Sequence, residues 1–189
     1  MYLGINSITH VTGLVFIMIS VLDGASCAVT SAKLTPAEIM DAIDKFKVTA
    51  ALTFPAQLQA LTRETRRTGR RVPSLRTLAV GGSVLAESLA YSVRASFGGL
   101  KHLVNMYGMT ESCGVITCQP STETQRGVDV GVPAIGVKVK VTDFKTHKRL
   151  GPNQMGEICI HNLSTVTTYY KRPKESAELL DEEGWLRTG

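Results

Sequence analysis

No apolar segment of the sequence is long enough to cross a membrane as a helix. The most apolar run, L-V-F-I-M-I-S-V-L at residues 14–22, has nine residues and ends at an Asp-Gly pair, whereas a spanning helix needs about twenty. Residues 1–10 lack the positive charge that precedes the apolar core of a secretory signal. We therefore predict no targeting signal and a buried helix at residues 14–22.

Cysteine is scarce and scattered. The four cysteines, Cys27, Cys113, Cys118 and Cys159, form no C-x-x-C pair and no Cys/His ligand set. The sequence therefore supports neither a zinc site nor a disulfide framework, and reduced thiols in an intracellular protein are the simplest interpretation. Cys159 lies within the apolar run I-C-I and is predicted to pack in the core.

Basic residues outnumber acidic ones, and the excess lies in one segment. The chain has 21 lysines and arginines against 16 aspartates and glutamates, and six of the basic residues lie between Arg63 and Arg76 with one acid, Glu64. Outside that segment, fifteen basic residues face fifteen acidic ones. The segment contains no aromatic residue, so it lacks the stacking surfaces of single-strand nucleic-acid binders. A solvated helix end and loop is favoured, with an anion or acidic-partner site as the alternative.

The first half of the chain alternates helix and strand patterns. Thr35-Pro36-Ala37-Glu38 is a capping box with proline at the first helical position, which predicts a helix over residues 36–46. Predicted strands cover residues 48–54, 75–80 and 102–106, and further helices cover 56–64 and 85–97. Strands separated by helices of about ten residues pair in parallel. The predicted fold class is α/β, with a parallel sheet and crossover helices.

After Glu111 the pattern changes to strands. Residues 115–118 are extended, 137–141 alternate as V-K-V-K-V, and 156–161 follow the turn signal G-P-N. This part is predicted to be mainly antiparallel β-structure. The polar stretch 120–126 is the candidate linker.

Two polar loops follow predicted parallel strands, where open α/β sheets bind ligands. Gly81-Gly82-Ser83 follows one strand, and glycines let a flat ring approach the backbone closely. The stretch N-M-Y-G-M-T-E at residues 105–111 ends the next strand. Each alone fits an ordinary turn, but their order favours a nucleotide site. In such a site a base would lie between the glycines and Tyr107, and Thr110 would contact a phosphate. Glu111 would bind Mg²⁺, which prefers oxygen ligands.

Six segments resemble, in order, motifs of the adenylate-forming superfamily, which includes acyl-CoA synthetases, 4-coumarate-CoA ligases and insect luciferases. They are H-V-T-G-L at 10–14, G-G-S at 81–83, Y-G-M-T-E at 107–111, V-G-V-P at 130–133, G-P-N-Q-M-G-E-I-C-I at 151–160 and G-W-L-R-T-G at 184–189. The resemblance implies the later part of that family's large AMP-binding domain, with an α/β portion at 1–112 and a mainly β portion at 113–189.

The resemblance also implies an ATP-dependent acid–thiol ligase. A carboxylate attacks the α-phosphorus of ATP, pyrophosphate departs, and the thiol of coenzyme A captures the acyl-adenylate. Joining two anions requires charge neutralisation and positioning more than a protein nucleophile. By motif position, Glu111 is expected to bind Mg²⁺ and Thr110 to contact phosphate. Tyr107 and residues 81–83 (Gly81, Gly82 and Ser83) are expected to enclose adenine, beside Met106.

The acyl end of the site is implied by the same motifs. Gly108 and Met109 are expected to line it, and Met106, Met109 and Val104 suggest an apolar acyl tail. His10 is expected at the acyl pocket near the reacting carboxylate, with a core histidine at a helix start as the alternative. The identity of the acid is not predicted.

Several parts of the family pattern are not found in these 189 residues. They are the Gly/Ser/Thr-rich phosphate loop ending in Lys-Gly, expected before His10, the aspartate expected after Gly189, the hinge, and the small C-terminal domain with its adenylation lysine. The chain is therefore expected to represent about a third of a family member. The 189-residue polypeptide by itself is not expected to catalyse adenylation.

Two alternative functions stay open. One is an adenylation domain that loads a carrier protein. The other is a truncated or degenerate paralogue that binds nucleotide or a partner without catalysis, although intact Thr110 and Glu111 argue against decay of the site. The resemblance also permits luciferase activity, and by resemblance the protein is expected in the cytoplasm or in peroxisomes. No nucleic-acid partner is expected.

Overall fold

The structure is a computed structural model that describes residues 1–31, 33–120 and 127–189. It contains two compact units, one formed by Met1–Tyr107 with Thr117–Val132 and the other by Gly108–Ile116 with Pro133–Gly189. A mostly parallel sheet with helices and a separate antiparallel sheet confirm the predicted α/β class. The predicted linker at 120–126 lies, apart from Pro120, outside the described residues.

A parallel sheet organises the first unit. Its strands are β1 (Tyr2–Gly4), β2 (Cys27–Val29), β3 (Ala50–Thr53), β4 (Thr77–Val80) and β5 (His102–Met109). They lie in the order β2-β1-β3-β4-β5, followed by β6 (Gly114–Cys118) and β7 (Val132–Pro133). The register places Leu78 of β4 opposite Ala51 on one side and Leu103 on the other. This order puts the end of β4 beside Asn105, in the middle of β5.

Helices pack against this sheet. They are α1 (Val11–Leu22), α2 (Pro36–Phe46), α3 (Pro55–Thr68) and α4 (Glu87–Ser96). The capping box predicted for α2 is confirmed, because Thr35 Oγ1 accepts from the Glu38 N–H while Glu38 Oε2 accepts from the Thr35 N–H. Met40, Leu58, Leu78 and Val93 are fully buried in the shared core. The helices thereby hold the strand ends in place.

The predicted helix at residues 14–22 is confirmed, but its predicted burial is wrong. Only Gly13, Phe16 and Ser20 of α1 are buried, whereas Val21 and Leu22 are 71% and 82% exposed. The helix buries one narrow stripe, where Phe16 stacks edge-on against Tyr2. Because nearly every residue of the run is apolar, the sequence carried no polar stripe that would mark the exposed side. In the described part of the chain no helix is both long and apolar enough to cross a membrane.

The basic segment is a helix end and loop, as predicted. Helix α3 ends at Thr68, and Gly69 follows with a left-handed φ of 69°. Arg67 pairs with Glu64 at 2.8 Å, and Arg70 pairs with Asp41 and Asp44, each at 2.8 Å. Neighbouring carboxylates therefore neutralise part of the segment's charge.

The second unit contains the predicted antiparallel structure. Strands β8 (Lys138–Thr142), β9 (Glu157–His161) and β10 (Leu186–Arg187) form a sheet in the order β10-β9-β8, with both pairings antiparallel. Cys159 is buried there, as predicted, and all four cysteines are free thiols. The sequence did not predict helix α5 (Pro173–Leu179) or strands β1, β2 and β10. These elements have two to seven residues, too few for a periodic pattern.

Candidate functional site

The strand β5 and the turn after it carry most of the predicted site residues. The predicted strand stopped at Met106, but β5 continues to Met109, so Tyr107, Gly108 and Met109 are strand residues rather than loop residues. A 3-10 turn at Thr110–Ser112 follows. The extension depends on Gly108, where a Cβ would lie 2.2 Å from the Gly114 carbonyl oxygen on the returning strand. Only glycine permits this close approach.

The glycine loop lies beside Met106 in the first unit. A Cβ placed on Gly81 would be 3.0 Å from Met106 Cγ and 3.2 Å from the Met106 carbonyl oxygen. The structure thus brings Gly81, which follows the end of β4, next to Met106 within β5. Tyr107 follows Met106 and is half-buried, whereas Ser83 is exposed. This part combines the exposed Gly82 and Ser83 of the loop after β4 with the half-buried Tyr107 of the adjacent strand β5, whose ring is a surface on which a flat base can pack.

Phe54 belongs to the same neighbourhood, and sequence reasoning missed it. Its ring fills the space where a Cβ of Gly82 would lie, 2.7 Å from Phe54 Cδ1, and Gly82 has a φ of 81°. The ring also meets the His10 ring edge-on, with centroids 6.2 Å apart. Phe54 thus connects His10 with the glycine loop. Its position before Pro55 signals a helix start, but nothing in that pattern indicates these two contacts.

His10 is exposed and caps helix α1. Its Nδ1 accepts from the Thr12 N–H at 3.3 Å and lies 2.9 Å from Thr12 Oγ1. The alternative for His10 was a core histidine at a helix start. The residue is at a helix start, but it is not in the core. Because Nδ1 accepts the capping hydrogen bond, the neutral ring carries its proton on Nε2.

Thr110 and Glu111 lie in the second unit, on the 3-10 turn. Thr110 is exposed, and Glu111 is half-buried. The Tyr169 phenol donates to Glu111 Oε1 at 2.8 Å. The Val166 N–H donates to the Glu111 carbonyl oxygen at 2.9 Å, and Asn162 Nδ2 donates to the Ser112 carbonyl oxygen at 3.3 Å. The segment after β9 therefore holds the turn at three points.

Tyr169 is a second residue that sequence reasoning missed. Its hydrogen bond to Glu111 raises the pKa of the phenol above its ordinary value, and burial and the negative charge of Glu111 raise it further. The phenol is therefore protonated at neutral pH and acts as the donor. The two residues are 58 positions apart, so no local pattern could have connected them.

Glu111 has the chemistry of a magnesium ligand. Across residues 1–31, 33–120 and 127–189 no group of three or more His, Cys, Asp or Glu side chains could hold a metal ion alone. Mg²⁺ typically binds one or two carboxylates and takes its remaining ligands from substrate phosphates and water. A single half-buried carboxylate fits that requirement.

Two buried amides anchor the middle of β5. Asn105 Nδ2 donates to the carbonyl oxygens of Val128 and Asp129, and Gln119 Nε2 donates to the Gly127 carbonyl oxygen at 3.2 Å. Gln119 Oε1 accepts from the Asn105 N–H at 3.0 Å. These contacts fix the strand directly before Met106 and Tyr107.

Comparison with known proteins identifies relatives of this chain. A family model described as AMP-binding enzyme matches residues 1–170. The luciferin 4-monooxygenase of Nipponoluciola cruciata is 31% identical over 147 residues, covering 78% of this chain and 26% of the relative. The 4-coumarate–CoA ligase-like 6 of Arabidopsis thaliana is 29% identical over 192 residues, covering 100% and 33%.

A solved structure agrees with these relatives. The crystal structure of a long-chain-fatty-acid–CoA ligase from Archaeoglobus fulgidus matches with a TM-score of 0.89 at 25% identity. The match covers 100% of this chain and 40% of the ligase. The chain spans about a quarter to a third of the length of the two curated relatives.

Proposed function

The chain belongs to the AMP-binding enzyme family, and on that basis we propose that it is part of a ligase that activates a carboxylic acid with ATP and transfers the acyl group to coenzyme A. One observation carries the proposal. After the end of β4, Gly82 and Ser83 are exposed, and Gly81 packs against Met106, which precedes Tyr107 in β5. Loops at the carboxyl ends of parallel strands are where open α/β sheets bind ligands.

The adenine of ATP is assigned to the first unit. Its flat ring would pack against the loop of Gly81, Gly82 and Ser83 and on the face of Tyr107, beside Met106. The exposed Ser83 hydroxyl is available for a hydrogen bond to the base.

The phosphates are assigned to the turn after β5. Thr110 is exposed, and its hydroxyl would donate to a phosphate oxygen. Glu111 would bind Mg²⁺, which neutralises phosphate charge when it is bound. A carboxylate substrate and a triphosphate repel each other, so this neutralisation is the main requirement of the first step.

By motif position, the acyl roles fall to His10 in the first unit and to Gly108 and Met109 in the second. The exposed His10 ring has its Nδ1 committed to Thr12, so Nε2–H is the group left to donate to the carboxylate of the acid. The side chains of Met109 and Met106 are apolar and deformable. The proposal extends to carboxylic acids as a class.

The chemistry would proceed in two displacements. In the first, a carboxylate oxygen forms a bond to the α-phosphorus, and the bond from that phosphorus to the bridging oxygen breaks. Pyrophosphate leaves with the electron pair. In the second, the coenzyme A sulfur attacks the acyl carbon, AMP leaves with the electron pair of the acyl–oxygen bond, and the thiol proton passes to solvent. The ligase names of the Arabidopsis and Archaeoglobus relatives favour coenzyme A as the acceptor.

Acid-dependent ATP–pyrophosphate exchange by the complete gene product tests the proposal. We expect exchange of label from pyrophosphate into ATP when a suitable acid is present, with aliphatic and aromatic carboxylic acids supplied in turn. Release of AMP on adding coenzyme A, with formation of the thioester, completes the assignment. If exchange occurs but only a carrier-protein thiol accepts the acyl group, the acceptor assignment is wrong. If nucleotide binds and no acid supports exchange, the non-catalytic alternative is correct.

A further inference from the structure

The carboxylate of Glu111 is held asymmetrically. Tyr169 donates to Oε1 at 2.8 Å, and among the described residues no other side chain or backbone group donates to this carboxylate. Oε1 is thus occupied by a neutral donor, whereas Oε2 keeps its lone pairs. The two oxygens of Glu111 are chemically different before any ligand arrives.

The backbone of the turn is supported independently of Tyr169. The Val166 N–H donates to the Glu111 carbonyl oxygen, and Asn162 Nδ2 donates to the Ser112 carbonyl oxygen. Ser112 Oγ lies 2.9 Å from the carbonyl oxygens of both Met109 and Gly114. Loss of the Tyr169 hydroxyl would therefore leave the turn in place and free only the Glu111 side chain.

Tyr169 is itself held firmly. Its N–H donates to Ser176 Oγ at 2.8 Å, and its carbonyl oxygen accepts from the Arg172 N–H at 3.2 Å. Ser176 lies on α5, so that helix supports the Tyr169 backbone. The backbone that carries the phenol is thus held independently of the carboxylate that the phenol meets.

We propose that Tyr169 is a positioning residue that fixes the Glu111 carboxylate, so that Oε2 alone meets the metal ion of the bound nucleotide. The inference rests on the proposed metal role of Glu111. An unrestrained glutamate loses considerable rotamer freedom when it binds an ion. A side chain already ordered by a second residue loses less, and the removal of such supporting residues typically weakens metal binding about 10–100-fold.

The matched variants are Tyr169→Phe and Tyr170→Phe. Both remove one phenol hydroxyl and keep the ring, and Tyr170 is adjacent and 86% exposed. The measurement is the affinity of the complete gene product for Mn²⁺·ATP and for ATP in EDTA, by calorimetry. We expect Tyr169→Phe to reduce the preference for Mn²⁺·ATP about tenfold and to leave the affinity for metal-free ATP unchanged. Tyr170→Phe should match the wild type in both.

The Glu111→Gln variant tests the metal role of Glu111 separately from the positioning role of Tyr169. If Glu111→Gln keeps the wild-type preference for Mn²⁺·ATP, the metal role of Glu111 is wrong and the positioning role falls with it. If Glu111→Gln loses the preference while Tyr169→Phe keeps it, the metal role stands and the positioning role is wrong. Excess Mg²⁺ should restore exchange in Tyr169→Phe. A deficit that persists at saturating Mg²⁺ would instead indicate damage to the fold and overturn the proposal.

Discussion

Replacing Glu111 with glutamine is expected to lower acid-dependent ATP–pyrophosphate exchange by about 10²–10³-fold. Removing one preorganised group that stabilises transition-state charge typically has an effect of that size, and glutamine removes the negative charge that a magnesium ion requires. The amide oxygen of glutamine can still accept from Tyr169, so the turn keeps its hydrogen bond. The loss should therefore appear in kcat at saturating acid, with thermal stability little changed.

Glu178→Gln is the matched control for this prediction. Glu178 lies on α5 in the same unit and is exposed. The same loss of charge at that position should leave exchange within about twofold of the wild type, because exposed charges away from a site have small effects. Equal activities of Glu111→Gln and Glu178→Gln would remove Glu111 from the catalytic site.

Replacing Gly108 with alanine is expected to distort the site and destabilise the second unit by about 1–3 kcal/mol or more. The new Cβ would lie 2.2 Å from the Gly114 carbonyl oxygen, 2.9 Å from its carbonyl carbon and 3.1 Å from Val115 Cα. All three are backbone atoms, so no side chain can rotate away. The strand must separate from its neighbour, and urea unfolding with measurement of exchange should show both losses.

Gly151→Ala controls for the loss of a glycine in the same unit. The nearest atom to a Cβ at Gly151 is Gln154 Oε1 at 3.7 Å, an ordinary contact at the end of a flexible side chain. Its unfolding midpoint should stay close to that of the wild type. Should Gly108→Ala unfold at the same urea concentration as Gly151→Ala, the close approach at Gly108 would not constrain the fold.

Features of the fold that depend on adjacent residues were predicted correctly. The bounds of α2 were correct because its signals are adjacent residues, a threonine cap, a proline and a glutamate three positions after the cap. The antiparallel pair β8 and β9 followed from alternation and a turn signal. Burial of α1 was predicted wrongly, because burial depends on what packs against a helix and α1 is apolar on nearly every side.

Less of the site could be predicted from the sequence. The proximity of Gly81 and Met106 followed from the pairing of neighbouring parallel strands. A base beside the glycines was inferred from the loop position, whereas the role of Met106 came from a family resemblance. Phe54 and Tyr169 could not be found in this way. Phe54 contacts Gly82 and His10, and Tyr169 contacts Glu111. These partners are distant in the sequence, so the contacts exist only once the chain is folded.

The central claim is that the backbone of Gly81 and Gly82 and the side chain of Tyr107 hold the adenine of ATP. Photolabelling of the complete gene product with 8-azido-ATP, followed by trypsin digestion and mass spectrometry, tests it most directly. Cleavage after Arg76, Arg94, Lys101 and Arg126 yields the peptides 77–94 and 102–126, which contain the glycine loop and Tyr107 respectively. We predict that both carry label and that excess unlabelled ATP removes it. Label confined to other peptides, or label that ATP cannot displace, would contradict the claim.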